Sequence, residues 1–450
     1  MENKKMIAIV GGTLVLIGAL VISAYFLFSR NTTKEPIALS MVWGEWAPSD
    51  ILEMMLKEYE DETGARITLT QIPWGSYYNE LLTGLQAEVP PYDIAIGDSQ
   101  WIGEMVQKGY YRDITDFVVE SRIIGTMDPR IVKHYAEYPR GSETYYAVPA
   151  LSEGVLLAYR SDILEDENEK AAFAAAYGYP LAVPHTWNEL RDIAEFFTRP
   201  EEGMYGLAIP TDENFYDAIT MLYGGLLYAY GAAWGDFENR TADGIINDPR
   251  AAEALSFMKS LYAFTEKIDT TGNGYDWFES AQFFAEGKSV LVVNYPSVLD
   301  GYVKPGTSHY NAIGYSALPF GPSRRASSLG GQPFSIVSGI EPEKVAAAED
   351  FLRWWTQERV QRRWTELGGY ALDRRLLLDP IYEQQHKKAK ALKDTLEILE
   401  DFWNEPEFPA LLETFNAMVS TYAVDDSEGT VAESQAVLDR LNEAWKQILR

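Results

Sequence analysis

Three carboxylates stand where the chain could do chemistry: Glu45, Asp98 and Glu153. Glu45 follows the stretch "MVWG", Asp98 follows "YDIAIG", and Glu153 lies in "PALSEGV". A pair of facing acids at a fixed separation can hydrolyse a glycosidic bond, one of them with a raised pKa. The same acids can accept hydrogen bonds from ligand hydroxyls and leave the ligand unchanged. Other catalytic patterns fail. "GKS" at Gly287–Ser289 lacks the first phosphate-loop glycine, because Gln282 occupies that position. No Gly-x-Gly-x-x-Gly follows a strand and no Gly-x-Ser-x-Gly elbow occurs. His134, His185, His309 and His386 are isolated in sequence, and the chain has no cysteine, so no metal site or cofactor is expected.

The elements that position these acids follow from periodicity. "IALSMVW" reads as a strand, and Pro48-Ser49-Asp50 opens a helix whose stripe is Leu52, Met55, Leu56 and Tyr59, ending at Gly64. "RITLTQI" alternates as a second strand, with a helix marked by Tyr77, Leu81, Leu82 and Leu85 behind it. "YDIAIG" is a third strand, followed by the stripe Ile102, Met105 and Val106. Alternating strands and helices predict an α/β unit with a parallel sheet. In such sheets ligands bind beyond the carboxyl ends of the strands. Those ends read Trp43-Gly44-Glu45-Trp46, Trp74-Gly75-Ser76-Tyr77 and Asp98-Ser99-Gln100-Trp101. Each carries a Trp, and two carry an acid.

That mixture suits a sugar. A pyranose offers an apolar face of C–H groups to an aromatic ring and a rim of hydroxyls to polar side chains. "GAAWGDFENR" and "VNYPS" repeat the combination downstream, although Trp234 and Tyr295 fit core packing equally well. Composition agrees. Acids outnumber bases 67 to 38, a formal charge of −29 that disfavours nucleic acid and other polyanions and leaves neutral or cationic ligands. At the N-terminus, Lys4 and Lys5 precede an apolar run from Met6 to Phe28, about 23 residues and long enough to span a bilayer. A cleaved signal usually has a shorter apolar region of roughly 7–15 residues. The expectation is therefore an uncleaved anchor with the rest of the chain outside the membrane, tethered through 31–36.

Seven segments, in order, carry a resemblance. They are "MVWGEW…LKEYEDETGARITLTQI", "PPYDIAIGDSQWIGEMVQKGYYRDITDFV", "YAVPALSEGVLLAYRSDILED", "PHTWNELRDIAEFF", "FFAEGKSVLVVNYPS", "YSALPFGPSRRASSLGGQPFSIV" and "AAAEDFLRWWTQERVQRRWTELGGYALDRR". Together they resemble the family-one extracellular solute-binding proteins of ABC transporters, which include maltose, trehalose and multiple-sugar binders. The resemblance implies a two-lobe, periplasmic-binding-protein-like (type II) α/β fold with ligand in the inter-lobe cleft. Lobe 1 is expected over 37–150 and about 297–340, and lobe 2 over 151–296 and about 341–450. By position, Trp43, Glu45, Trp74, Tyr77, Asp98 and Trp101 would line the first lobe, with Glu153 at the crossover. Trp234, Asp236, Asn294, Tyr295, Gly331, Gln332, Tyr370 and Arg374 would come from later loops. The implied protein is a monomer without catalysis or cofactor that takes a neutral sugar or oligosaccharide to a membrane permease. The family's anchoring cysteine is missing, and Met6–Phe28 would take its place. An extracellular glycan hydrolase using the acid pair and a surface protein-interaction module remain as alternatives.

Overall fold

The computed structural model of this chain describes residues 37–450 except 237, 269–271 and 403. The apolar run Met6–Phe28 lies outside the described residues, and among those described no helix is long and apolar enough to cross a membrane.

The first sheet grows from the strand–helix alternation of the N-terminal part. β1 (Ala38–Gly44) lies between β2 (Arg66–Ile72) and β3 (Ile94–Ile96), parallel to both. β1 and β3 are apolar on both faces because helices cover both, as parallel sheets require. The helix Ala47–Thr63 begins at a box in which Ser49 Oγ accepts the Trp46 amide at 3.1 Å. It buries the expected stripe Leu52, Met55, Leu56 and Tyr59 and stops at Gly64. Two antiparallel strands complete the sheet: β11 (Pro333–Ile336) beside β3, and β4 (Val148–Pro149) at the edge.

The second sheet runs β7 (Tyr205–Ala208), β8 (Ser289–Asn294), β6 (Leu156–Arg160), β9 (Ile313–Ala317). Between the two lies a small sheet in which β10 (Ser327–Gly330) is flanked by β5 (Glu153–Gly154) and β12 (Leu399–Glu400). The chain passes from the first sheet to the small one at 149–153 and returns at 330–333, so two crossing strands run side by side. A third crossing, over 373–389, joins the Asp373–Met127 bridge of the first lobe to the helix Ala389–Leu396, which packs on β9 and β5. Paired crossings constrain relative motion of the lobes to a hinge.

The expected lobe boundaries need correction. The segment 297–317 belongs with the second sheet: β9 is its edge strand, and the helix Pro296–Tyr302 packs on Trp277–Ala285. Conversely, the helices Pro342–Trp355 and Glu358–Glu366 pack on β1 and on Ala47–Thr63 in the first lobe. The C-terminal helix Val431–Ile448 returns to the second lobe against Pro249–Leu261. Short strands and amphipathic helices carry no signal of which sheet they will join, so their lobe could not be read from periodicity.

Candidate functional site

Where a strand's carboxyl end meets the next helix, the helix N-terminus faces the same space. Such ends ring one cleft between the lobes. Trp46 caps Ala47–Thr63, Trp74 opens Trp74–Leu85, Asp98 caps the 3-10 turn Ser99–Trp101, and Asp217 precedes Ala218–Ala229. From the second lobe, Trp277 opens Trp277–Ala285 and Tyr295 caps Pro296–Tyr302. All six line the cleft, with Gln100, Glu153, Tyr216, Phe278, Gly331 and Gln332 among the rest of its wall. The space, open solvent at its mouth included, is about 600 Å³. Beyond Trp46, Phe278 and Val298 it opens into a wider chamber that includes Glu45, Asp300 and Tyr370.

Two aromatic walls rest on glycines. A Cβ at Gly44 would lie 2.6 Å from Trp74 Cε2, and one at Gly330 would lie 2.2 Å from Tyr295 Cε1. Only glycine permits either ring to lie flat on the backbone. Edge-to-face contacts then link the first wall: Trp43–Trp46 at 5.6 Å, Trp46–Trp74 at 5.3 Å and Trp74–Tyr77 at 5.4 Å between centroids. Each such pair adds about 0.5–1.5 kcal/mol beyond area burial. Tyr77 leads on to Trp101 at 5.7 Å, and Trp101 Nε1 donates to the Tyr216 hydroxyl of the opposite lobe.

Tyr216 is itself held from behind. Asn416, the first residue of the π-helical turn Asn416–Ser420, donates Nδ2 to the Tyr216 carbonyl at 2.7 Å. Its Oδ1 accepts from Thr220 Oγ1 at 3.1 Å and Ser420 Oγ at 3.0 Å. A π-turn widens the helix locally and lets this side chain reach the loop. Asn294 does the same for the other wall. Its Nδ2 donates to the Trp277 carbonyl at 2.7 Å and Ser280 Oγ at 3.0 Å, and its Oδ1 accepts from the Tyr295 amide at 2.7 Å.

The electrostatics are one-sided. Burial pushes Asp98 up to about 8, reinforced by the Asp217 charge and opposed by the Gln100 amide and Ser99 hydroxyl. Burial also pushes Asp217 to about 7, with hydrogen bonds from the backbone and from Gln100 opposing. Glu153 reaches about 7 through burial, although Ser297 donates both its amide, at 2.9 Å, and its hydroxyl to it. Among the described residues no Lys, Arg or His lines this inner cleft, and no cluster suited to a metal ion occurs.

The candidates named from sequence separate into three groups. Trp74, Asp98, Glu153, Tyr295, Gly331 and Gln332 meet in the inner cleft, while Glu45 and Tyr370 line the outer chamber. Trp43, Tyr77, Trp101 and Asn294 lie one layer behind, each almost wholly buried. A residue within the strand or one turn into the helix points to the core, not past the sheet's end. Tyr77 accordingly spends its hydroxyl on the Ile96 carbonyl at 2.6 Å. Trp234, Asp236 and Arg374 line neither space. Trp234 is packed among Tyr223, Phe402, Phe415 and Trp445. Asp236 closes a turn onto Asn239, and exposed Arg374 starts the short helix Arg374–Leu377. Phe215, Tyr216, Asp217, Trp277 and Phe278 were missed, while Trp46 and Gln100 stood in the strand-end stretches without being singled out. The usable signal was an aromatic or acid at a helix start, as in "DWFE", where Asp276 and Glu279 form a capping box.

The comparisons agree with this architecture. Residues 45–362 match the family described as bacterial extracellular solute-binding protein. A maltotriose-binding protein of Pyrococcus abyssi is 23% identical over 350 residues, 76% of this chain and 68% of the relative. A mannitol-binding protein of Pseudomonas aeruginosa is 23% identical over 339 residues, 74% of this chain and 68% of that protein. The crystal structure of an ABC transporter solute-binding protein from Agrobacterium radiobacter K84 in complex with ribitol superposes with a TM-score of 0.76 at 21% identity. It covers 91% of this chain and 98% of the other.

The raised carboxyls give a pH dependence whose sign is fixed. A carboxyl whose folded pKa exceeds its unfolded value stabilises the folded form when protonated, and that contribution is lost as pH rises through the folded pKa. The unliganded melting temperature should fall as pH rises from about 5 to about 8 and level off above, where Asp98, Asp217 and Glu153 have ionised. Asp98→Asn should flatten the upper part of that slope. Melting curves across this range check it, and a variant slope identical to the wild type's would contradict the assignment to Asp98.

Proposed function

The chain belongs to the bacterial extracellular solute-binding protein family, and from that premise we propose that it is the substrate-binding component of an ABC importer. It captures a sugar or sugar alcohol between its lobes and presents it to a membrane permease. The observation that carries this reading is the cleft itself: indole and phenol walls from both lobes, carboxyl and amide groups between them, and no basic residue in the described lining. Aromatic faces cover the C–H surface of a polyol, and acceptors bind its hydroxyls. An anionic ligand would face three acids and no basic side chain in the described lining. Ligands of the sugar and sugar-alcohol class also agree with the maltotriose, mannitol and ribitol bound by the relatives.

The chain acts as a monomer and turns over no substrate. Glu153, the most buried acid of the inner cleft, is committed to Ser297 through both oxygens, which suits an acceptor of fixed orientation better than a group that must shuttle a proton. Closure brings Trp101 to Tyr216, so the ligand stabilises the arrangement in which both lobes offer one docking surface to the permease. Residues Met6–Phe28, with Lys4 and Lys5 on their inner side, hold the protein on the outer face of the membrane.

Two outcomes follow. Trp74→Ala and Trp46→Ala each remove a stacking face and should weaken sugar binding by about 1–3 kcal/mol, by analogy with base stacking. Asp98→Asn replaces a carboxyl that burial keeps mostly protonated near neutrality and alters its hydrogen bond to a ligand hydroxyl, a loss of about 0.5–1.5 kcal/mol. Titration calorimetry should show these losses, the melting temperature of unliganded Trp74→Ala should stay near wild type, and no variant should release product from oligosaccharides. Unchanged affinity in all three would remove the site assignment, and hydrolysis abolished by Asp98→Asn would favour an enzyme. Separately, the full chain should sediment with membranes and come off with detergent, not with salt; a soluble mature form beginning near Ser29 would show a cleaved signal instead.

A further inference from the structure

The inner cleft is built for charge of one sign. Asp98, Asp217 and Glu153 line it, with no described basic residue among them. Lys388, whose charge acts on Glu153, is already paired with Asp300. Asp401, whose charge bears on Asp98, is held by Arg140 at 2.9 Å. Among the described residues Asp98 accepts two hydrogen bonds, both 3.3 Å and both on Oδ1, from the Gln100 amide and the Ser99 hydroxyl.

A second observation is independent of the acids. Gln332 and Gln100 are 5% and 2% exposed, both line the cleft, and the Oε1 atom of each lacks a hydrogen-bond partner. Buried acceptors without donors are costly, so a ligand that supplies donors would be favoured there. The unpaired donors of the same wall are the indole N–H groups of Trp46 and Trp74. Hydroxyls can serve those, being acceptors and donors at once. An ammonium group is donor-only, with three N–H bonds to give, and indole faces attract it. It would also relieve the repulsion between Asp217 and Asp98, which no hydroxyl can do.

We propose that the inner cleft prefers a polyol bearing an ammonium group, an aminated sugar or sugar alcohol, with the nitrogen seated beside Asp98 and the hydroxyls on Trp46, Trp74 and the glutamines. This rests on the reading of the cleft as a polyol site. Seating the cation draws Asp98, mostly protonated at neutral pH in the empty cleft, into its ionised form, and the attraction within the buried pair must exceed the cost of desolvating the ammonium.

The test uses matched pairs that differ by one group: glucamine against glucitol, 1-amino-1-deoxymannitol against mannitol, and 1-amino-1-deoxymaltitol against maltitol. An alkylammonium of this kind stays protonated at pH 7.5, as lysine does. Calorimetry on the whole chain should show the aminated member of any binding pair held about ten-fold or more tightly, the worth of one charge-assisted hydrogen bond. Asp98→Asn should weaken both members but the aminated one far more, so that the ratio collapses toward one. Asp217→Asn gives the same readout should Asp98→Asn fail to fold. Equal or weaker binding of the aminated members, with the neutral ones still bound, overturns the charge preference and leaves the sugar-binding reading intact. Binding of no member of any pair overturns the proposal, and failure of maltose and maltotriose to bind as well overturns the sugar-binding reading.

Discussion

The aromatic chain from Trp43 through Trp46, Trp74, Tyr77 and Trp101 to Tyr216 is the contact on which the site depends. It begins inside the first sheet and ends on the second lobe. Its buried members fix the rings that line the cleft, because an indole with two edge-to-face neighbours has little rotational freedom left. Its last link, an indole N–H to a phenol oxygen, crosses the cleft. The far partner is in turn braced by Asn416 in its π-turn. A ligand that enters is thus met by surfaces whose conformational entropy is already spent, which is what preorganisation means for affinity.

The second constraint is electrostatic. Carboxyls in a space without described cations are held partly neutral by burial, and the helix N-termini around them supply the compensating partial positive charge. Asp98 illustrates the balance: it caps a 3-10 turn, yet its burial outweighs the two weak donors it gains. Opening the hinge would admit water and relax these shifts, so the same groups that bind ligand also bias the opening equilibrium. On the proposed reading, binding and hinge motion would be coupled through residues such as Asp98.

Much of this was legible in the sequence where a physical rule connected pattern to place. The alternation from Ala38 to Gln107 gave parallel strands, and the rule for strand ends put Trp74 and Asp98 at the cleft. The same rule failed by one position for Trp43 and by one helical turn for Tyr77 and Trp101, because side-chain direction alternates along a strand and rotates along a helix. Phe215, Tyr216 and Asp217 were invisible, since a loop before a helix has no periodicity and their role depends on the opposite lobe. The lobe membership of β9 and of Pro342–Trp355 was likewise beyond the sequence, being a matter of which sheet lay nearer once the hinge strands had formed. Asn294 and Asn416 act at second hand, through carbonyls of cleft residues, and nothing in residue type marks that task.

If a polyol bound between the lobes holds them together, its binding must close the cleft. Small-angle X-ray scattering of the chain with and without a saturating sugar or sugar alcohol found by calorimetry tests it most directly. The account predicts a smaller radius of gyration with ligand, and loss of that change in Tyr216→Phe, which removes the hydroxyl that accepts from Trp101 across the cleft. A ligand that binds tightly and leaves the scattering curve unchanged in the native protein, starting from an open form, would contradict it.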